Sequence, residues 1–146
     1  MENIFSTQDE IYTFIEKVER LEKDIYKIGD AFGKTLNSYL SETEKNYLMS
    51  YFVDANINYK DPESFVKGIK FLREYLINIP ILTVHLAFMP SFELLGRMFS
   101  YINESTTEKV PLKIKYDPSL IAGATFEYKG VFKDFSIKKQ NLYSNK

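Results

Sequence analysis

The sequence predicts an α+β protein with about three helices in residues 1–78 and a small α/β module of β-α-β-β-β order in residues 79–146. Apolar residues recur every three or four positions through the first half, which is the period of an amphipathic helix. From Ile81 onward, β-branched runs and alternating patterns replace that period. Residues 1–108 hold 11 basic and 17 acidic side chains, whereas residues 109–146 hold 8 basic and 3 acidic ones. Segments of opposite charge favour two surfaces with different partners.

Composition limits the classes of function. With 146 residues the chain can bury a core without covalent staples, and the absence of cysteine excludes disulfides, thiolate chemistry and Cys-based zinc sites. The first residues, Met1 to Ser6, lack the basic start and apolar stretch of a secretory signal. The longest apolar run, residues 79–88, is far shorter than the ~20 residues of a membrane helix. We therefore expect a soluble protein that reaches a membrane only through a partner.

The first predicted helix has the clearest pattern. Its apolar stripe follows spacings of three and four residues and consists of Ile11, Phe14, Val18, Leu21, Ile25 and Ile28. Ser6 or Thr7 can cap its start. Gly29 and Gly33 each weaken a helix by ~1 kcal/mol relative to alanine. We expect a bend or a break near these two glycines.

Two further helices are predicted before Pro80. Ser41 to Glu44 form a capping box, and the apolar face that follows consists of Tyr47, Leu48, Tyr51 and Phe52. Asp61 as N-cap and Pro62 at the first helical position open the next helix. Its apolar residues keep helical spacing and are Phe65, Val66, Ile69, Leu72, Tyr75 and Leu76.

The second half changes to strands. Ile81 to Phe88 predict a strand, and Met89-Pro90-Ser91 separates it from a helix running from Phe92 to about Asn103. The next strand alternates apolar and other residues, with Val110, Leu112, Ile114 and Tyr116 on one side and Pro111, Lys113 and Lys115 on the other. Lys129-Gly130 predicts a tight hairpin turn between residues 124–128 and 131–137. The tail, residues 141–146, is predicted to be disordered.

No motif predicts catalysis, a cofactor or a metal. Gly29 to Thr35 resembles a phosphate-binding loop, but it is one residue too short between its glycines and follows a charged amphipathic helix instead of a buried strand. We interpret it as a helix-breaking glycine pair. His85, the single histidine, is expected on the strand face of Thr83, where a surface histidine is favoured over a catalytic one. No Asp, Glu or His cluster has metal-ligand spacing.

The basic residues of the second half leave several interpretations open. They are Lys113, Lys115, Lys133, Lys138 and Lys139, and they lie near Tyr128 and Phe135 in the sequence pattern. Such a set can meet nucleic acid, an acidic protein partner, or water alone. Among partners we favour an acidic protein over nucleic acid, with Lys113 and Lys115 as the candidate contact residues.

A turn motif in the second half resembles a known family. Tyr116 to Ala124 (YDPSLIAGA), then Tyr128 to Gly130 and Asp134 to Ile137 (DFSI), resemble the signature of the δ (OSCP-type) stator subunit of F-type ATP synthases. The motif residues in this chain are Asp117, Pro118, Ser119, Leu120, Ile121, Gly123, Asp134 and Ser136. The chain departs from the family at Ala122, where a glycine is usual, and in its shorter helical region.

Each motif residue has an expected structural role. Pro118 fixes its own φ, and the Asp117 carboxylate can accept backbone amides of the turn. Gly123 permits a backbone conformation or a close approach that other residues cannot adopt. Asp134 and Ser136 are expected to point away from the face of Phe135 and Ile137.

The resemblance implies a connector without catalysis or cofactor. In the family, the helical region binds α subunits of the catalytic head, and the closing module binds the b-type peripheral stalk, which supports proton-driven ATP synthesis. It also implies a cytoplasmic position, peripheral to the inner membrane of a bacterium through the complex, with no nucleic acid. The alternative is a small nucleic-acid or regulatory binding module that uses the basic C-terminal hairpin. A hydrolase or transferase is disfavoured because no nucleophile has an identifiable base.

Overall fold

The computed structural model describes residues 2–28 and 32–138, which form helices and strands in two compact units. The first unit comprises residues 9–79 with those before Phe5, and the second comprises Phe5–Gln8 with the residues from Pro80 onward. Within the described residues, the first unit is helical, and the second contains one helix and six short strands. The predicted α+β class is confirmed.

The helical unit contains α1 (Gln8–Ile28), α2 (Phe32–Tyr39), α3 (Glu42–Asp54) and α4 (Pro62–Ile77). The sequence predicts about three helices here, and the fourth arises because α1 ends at Ile28 and a separate α2 begins at Phe32. Residues 29–31 of the phosphate-loop-like segment lie outside the described residues. The remainder of that segment belongs to α2.

The core of the helical unit is formed by the predicted apolar stripes. Buried positions are Ile11, Phe14, Val18, Leu21 and Ile25 on α1, Tyr47, Leu48 and Phe52 on α3, and Phe65, Ile69, Leu72 and Leu76 on α4. The rings of Phe52 and Phe65 meet edge to face at 5.4 Å, so α3 packs on α4. Tyr75 keeps the helical spacing but is 48% exposed, because it lies at the margin of the packed side of α4.

The predicted helix starts are present. The Ser41 side chain accepts from the Glu44 N–H while the Glu44 carboxylate accepts from the Ser41 N–H, which completes the capping box of α3. Asp61 caps α4 by accepting from the Ser64 N–H, with Pro62 in the first turn. These caps satisfy amides that have no partner inside the helix.

The second unit contains β1 (Leu82–Leu86), α5 (Phe92–Glu104), β2 (Leu112–Tyr116), β3 (Leu120–Ala122), β4 (Ala124–Tyr128), β5 (Val131–Asp134) and β6 (Ile137–Lys138). A four-stranded sheet has the order β2-β1-β4-β5, in which only β1 and β2 are parallel. Strands β3 and β6 form a separate antiparallel pair. The sequence predicts neither β3 nor the division of residues 131–137 into β5 and β6.

The register assigns each strand residue to a face of the sheet. Val84 is paired with Ile114 on one side and Phe126 on the other, which defines an apolar face. On the opposite face, His85 lies between Lys115 and Thr125. His85 therefore lies on the face of Thr83, as the alternation predicts.

The segment before α1 belongs to the sheet unit. The Leu112 N–H donates to the Ser6 carbonyl at 2.9 Å, and Thr7 forms a parallel bridge with Leu112. Residues 5–8 therefore cover the outer edge of β2. This long-range pairing has no local sequence signal, since the partner residues are about a hundred positions apart.

Candidate protein-binding surfaces

The Asp-Pro turn follows β2 directly. The Asp117 N–H donates to the Leu86 carbonyl at 2.8 Å, which continues the β1–β2 pairing by one residue. Its carboxylate accepts from the Ser119 N–H at 2.9 Å, a local turn of the kind that aspartate favours. Pro118 and Ser119 are exposed, whereas Leu120 is buried at the start of β3. The turn thus sends the chain from the sheet into the β3–β6 pair.

Gly123 is where the two parts of the motif meet. Its φ is +81°, a left-handed conformation that L side chains rarely adopt. A Cβ built on Gly123 would collide with the Phe135 carbonyl oxygen and lie 2.9 Å from the Ser136 Cα. Glycine is therefore required both by the backbone angle and by the neighbouring chain.

The closing Asp-x-Ser segment forms a second local turn. One carboxylate oxygen of Asp134 accepts from the Ser136 N–H at 2.9 Å and from its hydroxyl at 2.6 Å. The Phe135 N–H between them donates to the Ala124 carbonyl at 2.9 Å. The ring of Phe135 contacts that of Phe126 edge to face, with centroids 6.1 Å apart. This turn ends β5 and redirects the chain into β6, which explains why the predicted strand is divided.

The motif residues form two hydrogen-bonded turns that meet at Gly123. The structure brings the Asp117–Gly123 stretch beside Asp134–Ser136, with Ile121 exposed at the surface. Within residues 2–28 and 32–138, no group of three or more His, Cys, Asp or Glu side chains is arranged to hold a metal ion. Pairs of Asx-type turns rigidify a loop, which suits a surface that must keep its shape for a partner.

Lys113 and Lys115 lie together on the polar face of the sheet. Lys115 is exposed and Lys113 is half-buried, and neither forms a salt bridge with a described carboxylate. Lys133 is paired with Phe126 and therefore lies on the opposite, apolar face. The side chain of Lys138 and the whole of Lys139 lie outside the described residues. The predicted basic set is thus divided between two faces.

Helix α5 is a second exposed surface, and its exposure is not evident from sequence. Ser91 caps it by accepting from the Leu94 N–H at 3.2 Å, and the Asn103 side chain accepts from the Val110 N–H at 2.7 Å. None of its residues is buried, and Phe92 is 93% exposed and Tyr101 74%. A shallow depression of about 720 Å³ lies along it, lined by Leu94, Gly96, Arg97, Met98 and Tyr101 among others. Phe92 and Tyr101 are nine positions apart and lie on opposite sides of α5, so the exposed helix offers separate apolar side chains to a protein partner.

No helix of the described residues is both long and apolar enough to cross a bilayer.

Comparison with known proteins gives one informative likeness. No protein-family model matches the chain. The ATP synthase subunit delta of Aquifex aeolicus (strain VF5) is 25% identical to it over 156 aligned positions, which cover 86% of each chain. Because so small a share is left uncovered, the likeness extends from the sheet unit into most of the helical unit. The chain therefore resembles a delta subunit along most of its length.

Proposed function

We propose that this chain is a stator subunit of an F-type ATP synthase that links the catalytic head to the peripheral stalk and performs no catalysis itself. The observation that carries the proposal is the likeness to an ATP synthase subunit delta over 86% of both chains. The turn motif at Asp117–Ser136 adds support, because it resembles the family signature independently of overall identity.

A stator must hold the head still while the rotor turns, so its contacts must dissociate slowly. Slow dissociation requires large, well-packed interfaces, and a link between head and stalk requires one such interface with each. Two compact units, one acidic in composition and one with a basic carboxyl-terminal segment, supply surfaces for two different partners.

We assign the partners by unit. The helical unit would bind the amino-terminal segments of the α subunits, and the sheet unit would bind the carboxyl-terminal end of a b-type stalk subunit. Lys113, Lys115 and the exposed side of α5 are the candidate contacts for the stalk. In this arrangement the protein is cytoplasmic and peripheral to the inner membrane of a bacterium, held there by the complex and supporting proton-driven ATP synthesis.

The proposal is tested with the full chain. It is immobilised and exposed separately to the cognate α₃β₃ head and to the soluble part of the b subunit, at physiological salt. Retention of both, and of neither by an unrelated acidic protein of similar size, is the expected result. Loss of both interactions, together with a shift of labelled nucleic acid by the same preparation at the same salt, would replace the stator assignment with the binding-module alternative.

A further inference from the structure

The two edges of the four-stranded sheet differ in how they are covered. On the β2 edge, Ser6 and Thr7 pair with Leu112. Strand β5, Val131–Asp134, forms the other edge, and no strand in the part of the chain that the structure describes pairs with its outer side. An edge without a partner strand is a template for pairing with another chain.

The hydrogen-bond pattern identifies which peptide groups face outward on β5. The Phe135 N–H donates to the Ala124 carbonyl, so residues 124 and 135 form a hydrogen-bonded pair. Hydrogen-bonded and non-hydrogen-bonded pairs alternate along an antiparallel ladder. The backbone of Lys133 is therefore hydrogen-bonded to that of Phe126 in β4, whereas Phe132 and Glu127 form a non-hydrogen-bonded pair. The N–H and carbonyl of Phe132 consequently point away from β4, toward the outer edge.

Each face of this edge carries one exposed apolar side chain and one charged side chain, Lys133 or Asp134. Val131 is 59% exposed and Phe132 is 56% exposed, and they point to opposite faces of the sheet. Phe135 and Ile137 extend the exposed apolar surface beyond the end of β5. The strand has neither a proline nor a register shift in its pairing with β4, and its protection against pairing with other chains is limited to its length of four residues and the charge of Lys133.

Lys133 indicates the charge of the partner. It lies on the same face as Val131, it is opposite the uncharged Phe126, and no described carboxylate lies within salt-bridge distance of it. A second copy of β5, paired about a two-fold axis through Phe132, would place Val131 opposite Lys133. An axis through Lys133 would place two lysines opposite each other, which is unfavourable. A carboxylate opposite Lys133 would complement its charge. The favoured partner is therefore a different chain that is acidic at this position, and not a second copy of this one.

We propose that β5 is a docking edge for an extended segment of a partner protein, which adds to the sheet as a further strand. The segment carries a carboxylate opposite Lys133 and apolar side chains beside Val131 and Phe132. The outward N–H and carbonyl of Phe132 hold its backbone, and the side chains set its register. This inference goes beyond the stator function and does not depend on it.

The probe is a short labelled peptide in which valines alternate with threonines and glutamates, and the protein is the full chain. Binding is followed by fluorescence anisotropy, and amide exchange is followed by NMR. Without the peptide, the outward amide of Phe132 should exchange much faster than that of Lys133. Saturating peptide should slow the exchange of the Phe132 amide strongly and leave that of Lys133 nearly unchanged.

Three variants and one control separate the contributions of backbone, charge and side chain. Phe132→Pro removes the outward N–H without breaking a bond to β4 and should weaken binding about tenfold or more, whereas Phe132→Thr keeps the N–H and should weaken it less. Lys133→Glu should weaken binding about fivefold or more. Lys67→Glu makes the same charge change at an exposed position of α4, in the helical unit, and should leave peptide binding unchanged.

Several results would overturn the inference. A Phe132 amide already protected in the absence of peptide would mean that the edge is covered. Equal peptide binding by the wild type and by Lys133→Glu would show that no carboxylate of the partner strand pairs with Lys133. Self-association of the wild type that is lost in Phe132→Thr, without peptide binding, would assign the edge to a second copy of the chain instead.

Discussion

Gly123 lies directly against the backbone carbonyl of Phe135, and this approach joins two turns that are separated by a whole hairpin in the sequence. Gly123→Val should lower the free energy of unfolding by about 2–4 kcal/mol, because a β-branched residue is strained at φ +81° and its Cβ collides with the neighbouring chain. Urea unfolding of the full chain measures the change.

The matched control is Gly96→Ala on α5. A Cβ at Gly96 meets no atom within 4 Å, and alanine is the better helix former by about 0.8–1 kcal/mol. This substitution should therefore be neutral or stabilising. Equal stability of the wild type and Gly123→Val would show that the motif tolerates an ordinary residue at this position.

The second prediction concerns pH and the pair formed by Lys17 and Glu44. Burial of the Glu44 carboxyl would by itself raise its pKa, but hydrogen bonds from Lys17 at 2.7 Å and from Ser41 outweigh this and hold the pKa below its ordinary value of 4.5. A carboxyl with a lowered folded-state pKa stabilises the fold above its unfolded pKa. That contribution is lost as the pH falls from about 4.5 through the folded-state value.

Denaturant unfolding at pH 7 and at pH 3 measures this effect. Glu44→Gln removes the titrating group, so the variant should lose less stability than the wild type between the two pH values. Identical pH dependence in Glu44→Gln and the wild type would contradict the role of this ion pair.

The third prediction tests the lysines of β2. Changing both Lys113 and Lys115 to glutamate should slow association with the stalk subunit about tenfold at low salt and less at high salt, because charge complementarity acts mainly on the association rate. The thermal transition should stay within a few degrees of the wild type, since Lys115 is exposed and Lys113 half-buried. Surface plasmon resonance at several salt concentrations gives the rates.

A matched pair of substitutions on the helical unit serves as control. Lys67 and Lys70 on α4 are exposed, and their change to glutamate should leave stalk association unchanged. If the lysines of β2 prove neutral while Tyr101→Ala on α5 weakens stalk binding, the contact lies on the helix instead of the strand.

The fourth prediction is that residues 79–146 fold without the helical unit. A fragment that begins near Asn78 should unfold cooperatively in urea. Its Leu112 amide should exchange faster than in the full chain, because the fragment lacks the Ser6 carbonyl that accepts from it. A gradual, non-cooperative transition of the fragment would place the folding boundary elsewhere.

The features predicted from sequence are those with local causes. The α1 stripe from Ile11 to Ile25, the Ser41 capping box and the Asp61 cap depend on residues within a few positions of one another. The hairpin is another such feature: Lys129 and Gly130 have φ values of +49° and +78°, as a two-residue turn of the favoured type requires. At these positions the sequence pattern and the structure agree, because both depend on interactions between residues that are close together in the chain.

The features that sequence does not predict depend on residues far apart in the chain. Strand β3 has three residues and a register shift, and it exists because β6 pairs with it. The exposure of Tyr75 and Phe92 depends on which side of a helix meets a neighbour, which an apolar pattern alone does not specify. For the candidate surfaces, the sequence identifies Lys113 and Lys115, but the outward-facing Phe132 follows only from the sheet order.

The pairing of Ser6 and Thr7 with Leu112 also sets an order of events during synthesis on the ribosome. The covering segment emerges first, while the strand that it covers emerges about a hundred residues later, a delay of roughly 5–20 s at ordinary rates of translation. Contacts across so long a loop form more slowly than the local contacts of the helices in between. The nascent chain therefore carries an unpaired amino-terminal segment until its last third is made. A chaperone that binds during this interval would change the folding yield.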